Sequence, residues 1–351
     1  MSSNLKPVEY RQLGKSGLRV SVPILGAMSF GDPRWSVRFH FQPWVLDEAS
    51  SIPIIKAAWD LGINTIDTAN VYSNGSSERI VAKFVKEYKI PRHQIVIASK
   101  CNGIVASDPN LRSSVVPGLG DQREYVNQFG LSRAAIFNAV DASLGRLETS
   151  YIDLLQIHRF DPSVPPEEIM KALHDLVQSG KVRYIGASSM RCWQFALLNE
   201  VAEKNGYTKF VSMQDEYSLL YREEEREMLA YCKYNGIGVI PWAPLAAGAL
   251  ARPFGTETTR VVSGKGTIFE SKYSEADKTI IERVEAISKT KGWKMSQVAL
   301  AWANSKVTSP IVGFNSIARL EESIIPGYEL TPEEVKSLEE PYQPKPVRGH
   351  A

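Results

Sequence analysis

Short apolar, β-branched runs alternate with longer stretches in which apolar residues recur every three to four positions, and this two-part unit returns along nearly the whole chain. The runs read as buried strands and the spaced stretches as helices with one buried face. A hairpin is expected around Gly14–Gly17, then a first strand, Val22–Phe30, and a helix, Asp47–Leu61, closed by Gly62. Asn64–Ala69 and Ser76–Tyr88 form the second unit, with Ile80, Val81, Phe84 and Val85 on one helix face. The third is Ile95–Lys100 and a helix capped by Ser132 that turns Ile136, Val140 and Leu144 inward. The fourth is Ile152–His158. Pro165 and Pro166 then open a helix that buries Ile169, Leu173, Leu176 and Val177 and stops at Gly180. Val182–Ser188, Phe210–Gln214, Val239–Trp242 and Pro310–Gly313 are expected as strands five to eight. Their helices are Trp193–Lys204, Glu223–Tyr234, Ala276–Lys289 and Ser316–Ile324, with an extra helix at Ser296–Ala303.

Strand-then-helix units with no intervening strand argue for parallel pairing through right-handed crossovers. The expected fold class is therefore α/β: a (β/α)8 TIM barrel with an N-terminal β-hairpin and extra helices, forming one domain over residues 1–351. A doubly wound sheet is the competing architecture, but no Gly-x-Gly-x-x-Gly follows the first strand. In such a barrel chemistry collects at the C-terminal ends of the strands. Two loops there, Cys101–Gly130 and Ala246–Ser274, are long and rich in Gly, Pro, Ser and charge, and read as mobile coverings. The tail Pro341–Ala351, with Pro344 and Pro346, reads as extended and loosely held.

Composition narrows the class of partner. A net charge of +2 argues against nucleic acid and anionic membrane surfaces as partners. No apolar run is long enough to span a bilayer, and Met1–Tyr10 lacks the apolar core of a secretory signal. Cys101, Cys192 and Cys232 have no paired spacing, so neither a disulfide framework nor a zinc site is indicated and a cytoplasmic location is expected. His40, His93, His174 and His350 likewise lack metal-ligand spacing. The oligomeric state stays open.

The polar residues at strand ends carry the chemistry. Strand two ends in Asp67 with Tyr72 just beyond, strand three in Lys100 and strand four in His158. Any one of these is as readily a cap or an ion-pair partner, but consecutive strand ends bring all four to one mouth. A carbonyl that receives hydride needs a proton on its oxygen, and a free phenol, with a pKa of about 10, is a poor donor at neutral pH. A nearby ammonium stabilises the phenolate and makes the phenol a better acid. Lys100 is placed to supply that charge, Asp67 to anchor Lys100, and His158 to orient the substrate oxygen. A protonated His158 beside Lys100 is disfavoured by like charge, which leaves Tyr72 as the proton donor.

Asn64-Thr65-Ile66-Asp67-Thr68-Ala69-Asn70-Val71-Tyr72, followed by Gly75 and Ser77-Glu78, Ala98-Ser99-Lys100 and Leu154-Leu155-Gln156-Ile157-His158, resembles the aldo-keto reductase superfamily. The resemblance runs from Tyr10-Arg11-Gln12-Leu13-Gly14 to Arg319-Leu320-Glu321-Glu322. It implies an Asp67–Tyr72–Lys100–His158 tetrad and NADPH lying extended across the barrel mouth. Trp44–Glu48, His158–Asp161, Gly186–Met190 and Tyr221–Glu227 are similar to the fungal aryl-alcohol-dehydrogenase-like branch, which implies an aromatic or polyketide-derived carbonyl substrate.

The resemblance also implies the cofactor residues. Trp242 falls on the position that stacks against the nicotinamide, although core packing is the plain alternative for a tryptophan there. Ser188, Ser189 and Gln214 fall on the carboxamide-holding positions, with Ser189 replacing the usual asparagine. In the segment from Ala243 through Pro244, Leu245 and Gly248, small residues let backbone donors approach a pyrophosphate. Arg252 either adds charge to that contact or is a solvated loop residue. Gly313, Asn315 and Arg319 fall at the junction that grips the adenosine 2′-phosphate, and Ser323 replaces an asparagine expected near the adenine. Because Asn315 replaces a common basic residue, NADPH preference rests mainly on Arg319.

Two departures stand out. Trp35–Phe41 extends the loop after strand one and carries Trp35, Phe39, His40 and Phe41, either as pocket lining or as a surface insertion. Asp215 stands where Gln-Asn-x-Tyr is expected and brings a carboxylate toward the nicotinamide. A regulatory, cofactor-binding role without catalysis is the second function class, as in potassium-channel β subunits. An unrelated barrel isomerase or hydrolase would need phosphate loops or metal carboxylates that the sequence does not display.

Overall fold

The computed structural model describes residues 8–37, 40–41, 44–256 and 273–350. Phe39 and most of the loop 246–274 lie outside the described residues, as do the side chains of His40 and Phe41. Eight strands run parallel: β3 (Ile24–Gly26), β6 (Thr65–Asp67), β7 (Val96–Cys101), β8 (Ile152–Ile157), β9 (Val182–Ser188), β10 (Ser212–Gln214), β11 (Gly238–Val239) and β12 (Ile311–Gly313). Their order is β11-β10-β9-β8-β7-β6-β3-β12. The Thr308 and Ile311 amides donate to the Val239 and Pro241 carbonyls, each at 2.9 Å, and so join the two ends of that sheet. The expected barrel is what the chain forms.

The hairpin of β1 (Glu9–Gln12) and β2 (Arg19–Val22) closes the N-terminal end of the barrel, and β4 (Ser36–Val37) pairs antiparallel with β5 (His40–Phe41) in the loop after β3. Gly14 at its turn has φ +59°, and a Cβ there would lie 2.4 Å from the Gly236 carbonyl oxygen, so only glycine fits. Leu13, Val20, Ile24, Ala98, Leu154, Ile240 and Ile311 fill the barrel interior above it. The larger core lies between the strands and the outer helices, where Ile80, Val81, Phe84, Ile136, Val140, Ile169, Leu173 and Leu176 all bury. The expected helix faces are these faces, except that Val85, Leu144 and Val177 lie half-buried at their edges. None of the described helices is long and apolar enough to cross a membrane.

Several boundaries move. The first barrel strand pairs only over Ile24–Gly26, because Pro23 has no N–H to give and the chain leaves the sheet after Gly26. The helix expected over Glu223–Tyr234 divides into a 3-10 turn, Glu223–Glu225, and α6 (Met228–Asn235), the sixth helix along the chain. A helix at Pro332–Glu339 was not anticipated, although Thr331 and Glu334 form a capping box before it and Pro332 sits at its first position. The loop Cys101–Gly130 is more ordered than expected, with a small core of its own made by Ile104, Leu119 and Tyr125.

The tail also departs from the loose segment expected. It is extended, but the Tyr342 hydroxyl donates to Glu223 at 2.6 Å and accepts the Arg222 amide at 2.9 Å. Lys345 pairs with Asp277, and Arg348 forks onto Glu216 at 2.6 and 3.0 Å. Proline removed the helix option from this segment, while its polar side chains tie it across the mouth. Tyr342→Phe deletes two hydrogen bonds without changing the ring, and should lower unfolding free energy by about 1–2 kcal/mol in urea denaturation.

Candidate active site

Asp67 ends β6, Lys100 lies in β7 and His158 follows β8, so neighbouring parallel strands deliver all three to one rim. Tyr72 comes from the turn after β6. Lys100 is fully buried and donates to Asp67 Oδ2 at 2.6 Å, to the Thr68 carbonyl at 2.9 Å and to the Tyr72 hydroxyl at 3.3 Å. Burial works against its charge, but Asp67 and then Tyr72 outweigh it, and the Lys100 pKa stands above its ordinary value. The Tyr72 and His158 rings meet edge to face with centroids 6.0 Å apart. Burial, then Lys100 and then Arg159 push the His158 pKa well below its usual value, so its imidazole is neutral at physiological pH. The four residues expected to act together do lie together.

The turn that carries Tyr72 is strained. Ser73 and Asn74 have φ of 45° and 50°, a left-handed conformation that costs non-glycine residues roughly 1–2 kcal/mol each. Asn74 compensates by clamping the loop above. Its amide donates to the Leu111 carbonyl at 2.7 Å and the Asp108 carbonyl at 3.0 Å, and its Oδ1 accepts the Ala106 amide at 3.2 Å. A Cβ on Gly31 would come 2.1 Å from the Ser73 hydroxyl, so glycine is required where the loop after β3 passes. Trp35 in that loop is buried, with the Arg112 guanidinium 4.7 Å from its ring centre.

A supporting layer was not foreseen. Asp67 Oδ1 accepts from Gln156 at 3.0 Å and from Gln214 at 2.9 Å, and Gln214 also donates to Gln156 at 2.9 Å. Gln156 points into the barrel by strand alternation, and that alternation was its signal in the sequence. Gln214 serves the Asp67 carboxylate through its amide nitrogen, a role beside the carboxamide contact expected of it.

On the neighbouring rim the Ser188 hydroxyl donates to the Gln214 carbonyl at 2.8 Å, and the Trp242 indole N–H donates to the Ser189 hydroxyl at 3.1 Å. Trp242 is half-buried and opens onto the mouth, so simple core packing does not describe it. Beyond Trp242 the backbone is left-handed at Ala243, Ala246 and Ala247 as well as at Gly248, while Pro244 is buried and Leu245 half-buried. Such strain concentrates where a backbone must meet a ligand. Arg252 folds back onto the Gly248 carbonyl at 3.1 Å, and burial followed by repulsion from Arg319 lowers its pKa. Gly313, Asn315 and Arg319 are exposed along the same side. Ser323 is instead buried with its hydroxyl proton given to the Leu320 carbonyl at 2.6 Å, which leaves it nothing to donate to a purine.

Asp215 follows inward-pointing Gln214 and therefore faces the helix side of the sheet, away from the barrel interior. It is buried, and the Ser189 and Met190 amides approach it without completing a hydrogen bond to either oxygen. Burial raises its pKa, and burial together with Asp215 raises that of Glu224. An acid whose pKa is higher folded than unfolded loses stability as pH rises from the unfolded value toward the folded one. Asp215→Asn should therefore stabilise the protein by about 1–3 kcal/mol at pH 8 and much less at pH 4, read from thermal melts at the two pH values.

The aldo/keto reductase family model matches residues 24–343. The aldo-keto reductase dtxS3 of Metarhizium robertsii is 53% identical over 98% of this chain and 94% of its own length. Versiconal hemiacetal acetate reductase of Aspergillus parasiticus is 49% identical over 97% of this chain and 98% of its own. A putative aryl-alcohol dehydrogenase of Schizosaccharomyces pombe is 48% identical over 99% of both chains. A family model matched over most of the chain, and relatives about half identical over nearly their whole length, show that the chain belongs to the aldo/keto reductase family.

Proposed function

We propose that this protein is an NADPH-dependent carbonyl reductase in which Tyr72 protonates the substrate oxygen. The observation that carries this reading is the Lys100 ammonium, fully buried and held between Asp67 and the Tyr72 hydroxyl. A phenol beside a fixed cation can release its proton at neutral pH, because the phenolate left behind is stabilised where it forms. Asp67 anchors Lys100, and Gln156 and Gln214 anchor Asp67. Neutral His158 hydrogen-bonds the carbonyl oxygen and holds it toward Tyr72. An intact proton path of this kind favours catalysis over a purely regulatory nucleotide-binding role.

The residues along the mouth fit a phosphorylated nicotinamide dinucleotide. Trp242 offers a flat face, Ser188 and Ser189 offer hydroxyls, and the backbone is left-handed at Ala243, Ala246, Ala247 and Gly248. Arg252 and Arg319 lie close enough to repel one another, and neither makes an ion pair among the described residues. Paired guanidiniums without a carboxylate suit phosphate groups. When bound, the reduced nicotinamide supplies hydride to the carbonyl carbon. The versiconal hemiacetal acetate and the aryl alcohol named for two relatives support an aromatic or polyketide-derived carbonyl substrate here.

Tyr72→Phe should lower carbonyl reduction by about 10²–10⁴-fold while NADPH affinity changes little, measured by stopped-flow turnover and cofactor titration. Lys100→Met should reduce turnover on the same scale. It also leaves Asp67 buried without its cation, so its melting temperature must be read alongside. Arg319→Ala should weaken NADPH binding by roughly ten- to a hundred-fold and leave NADH binding unchanged. Equal affinity of the wild-type protein for the two cofactors would remove the NADPH assignment.

A further inference from the structure

The barrel mouth holds a second group of charges that the proton path does not use. Arg159 directly follows His158, and Arg191 stands immediately before α5 (Cys192–Asn205), the fifth helix along the chain. The Arg159 guanidinium donates to the carbonyl of its own neighbour, His158. Neither arginine forms an ion pair among the described residues. Arg159 nevertheless sits within electrostatic range of the Tyr72 hydroxyl, and burial pulls its pKa below the ordinary arginine value. A guanidinium that gives up water without gaining a counter-ion is costly, and such a cost is kept where a ligand relieves it.

The C-terminal segment adds a third group. Arg348 is forked onto Glu216, and its amide donates to the Tyr221 hydroxyl at 3.1 Å. Gly349 then passes the Trp242 ring, 3.5 Å from where its Cβ would lie. His350 comes to rest half-buried, with Nδ1 lacking a hydrogen-bond partner among the described residues. Burial, then Arg191 and then Arg159 lower its pKa to about 4, so at neutral pH it is an uncharged imidazole beside two cations.

The acids nearby do not cancel this charge. Glu216 is taken by Arg348. Arg159 lies within electrostatic range of Asp215 and Arg191 within that of Glu224, but neither pair closes to an ion pair, and burial holds both acids toward their neutral forms. Next to the cations stands an apolar wall. Phe160 and Trp193 pack edge to face at 6.1 Å, and Trp193 is 61% exposed although it begins a helix at the mouth. Planar guanidiniums beside open aromatic rings are suited to a flat ligand that ends in an oxyanion.

We propose that Arg159, Arg191 and His350 form an oxyanion-recognising subsite, and that the preferred carbonyl substrates are aromatic compounds carrying an acidic group such as a carboxylate. The inference rests on the carbonyl-reductase reading above for the site of the carbonyl itself. With that carbonyl between Tyr72 and His158, the ring lies along Phe160 and Trp193 and its far end reaches the cations. The phosphates of a dinucleotide present the same chemistry, but Arg252 and Arg319 receive those.

Two measurements test this, both with the full chain saturated with NADP(H). The first compares kcat/KM for 4-carboxybenzaldehyde and its neutral methyl ester, methyl 4-formylbenzoate. The acid should be favoured about tenfold or more by the wild-type protein, and Arg191→Met and His350→Leu should each shrink that ratio toward one. The second is calorimetric titration with terephthalate, which requires no turnover. Because NADP+ already fills the dinucleotide phosphate sites, the titration reads the mouth alone. Binding that weakens about tenfold in Arg191→Met supports the subsite even if no aldehyde is reduced, in which case the reductase reading falls by itself. If acid and ester are reduced equally well, or if terephthalate fails to bind or binds both variants as it binds the wild type, the proposal is overturned.

Discussion

A single buried ion pair organises this molecule's chemistry. Lys100 and Asp67 meet at 2.6 Å with almost no exposure, in a place where either charge alone would be severely destabilising. The pair survives because every remaining polar atom around it is used. Thr68 and Tyr72 take the other bonds of the ammonium, and Gln156 and Gln214 take the other oxygen of the carboxylate. Asp67, Lys100, Gln156 and Gln214 come from four strands, so the barrel closes around the pair. A buried ion pair is weak evidence of stability, and its function here is to fix one cation against one phenol.

The rest of the mouth departs from the barrel below it. Beneath, the strands and helices bury aliphatic side chains with ordinary backbone angles. Around the mouth lie left-handed alanines and serines, two acids held toward neutrality, and arginines without carboxylate partners. Each such feature is unfavourable by itself, and all of them gather at the same end of the barrel. The C-terminal segment belongs to this rim as well, since Tyr342, Lys345 and Arg348 bind it to groups from three other elements.

Much of this was legible beforehand in local patterns. Strand-then-helix repetition specified the barrel, since alternating periods of two kinds have few compact solutions. The helix faces followed from spacing, and Asp67, Tyr72, Lys100 and His158 followed from polar residues at the ends of apolar runs. Caps were legible too, as with Ser132, whose hydroxyl accepts the Ala135 amide. The helix at Pro332–Glu339 carried equally plain signals in Thr331, Pro332 and Glu334 and could have been found by them.

By itself, then, the sequence determined the order of elements and the strand ends at which Asp67, Tyr72, Lys100 and His158 come together, because each of these depends on neighbours in the chain. Only the tertiary structure decided which polar groups find one another across it. Gln156 and Gln214 converge on Asp67 from strands 58 residues apart in the chain. Ser323 turns its hydroxyl into its own helix end, Asp215 faces outward from the sheet, and the tail lies fastened beside Trp242. Hydrogen bonds and burial depend on distance in space, and for residues this far apart in the chain that distance exists only once the barrel has closed.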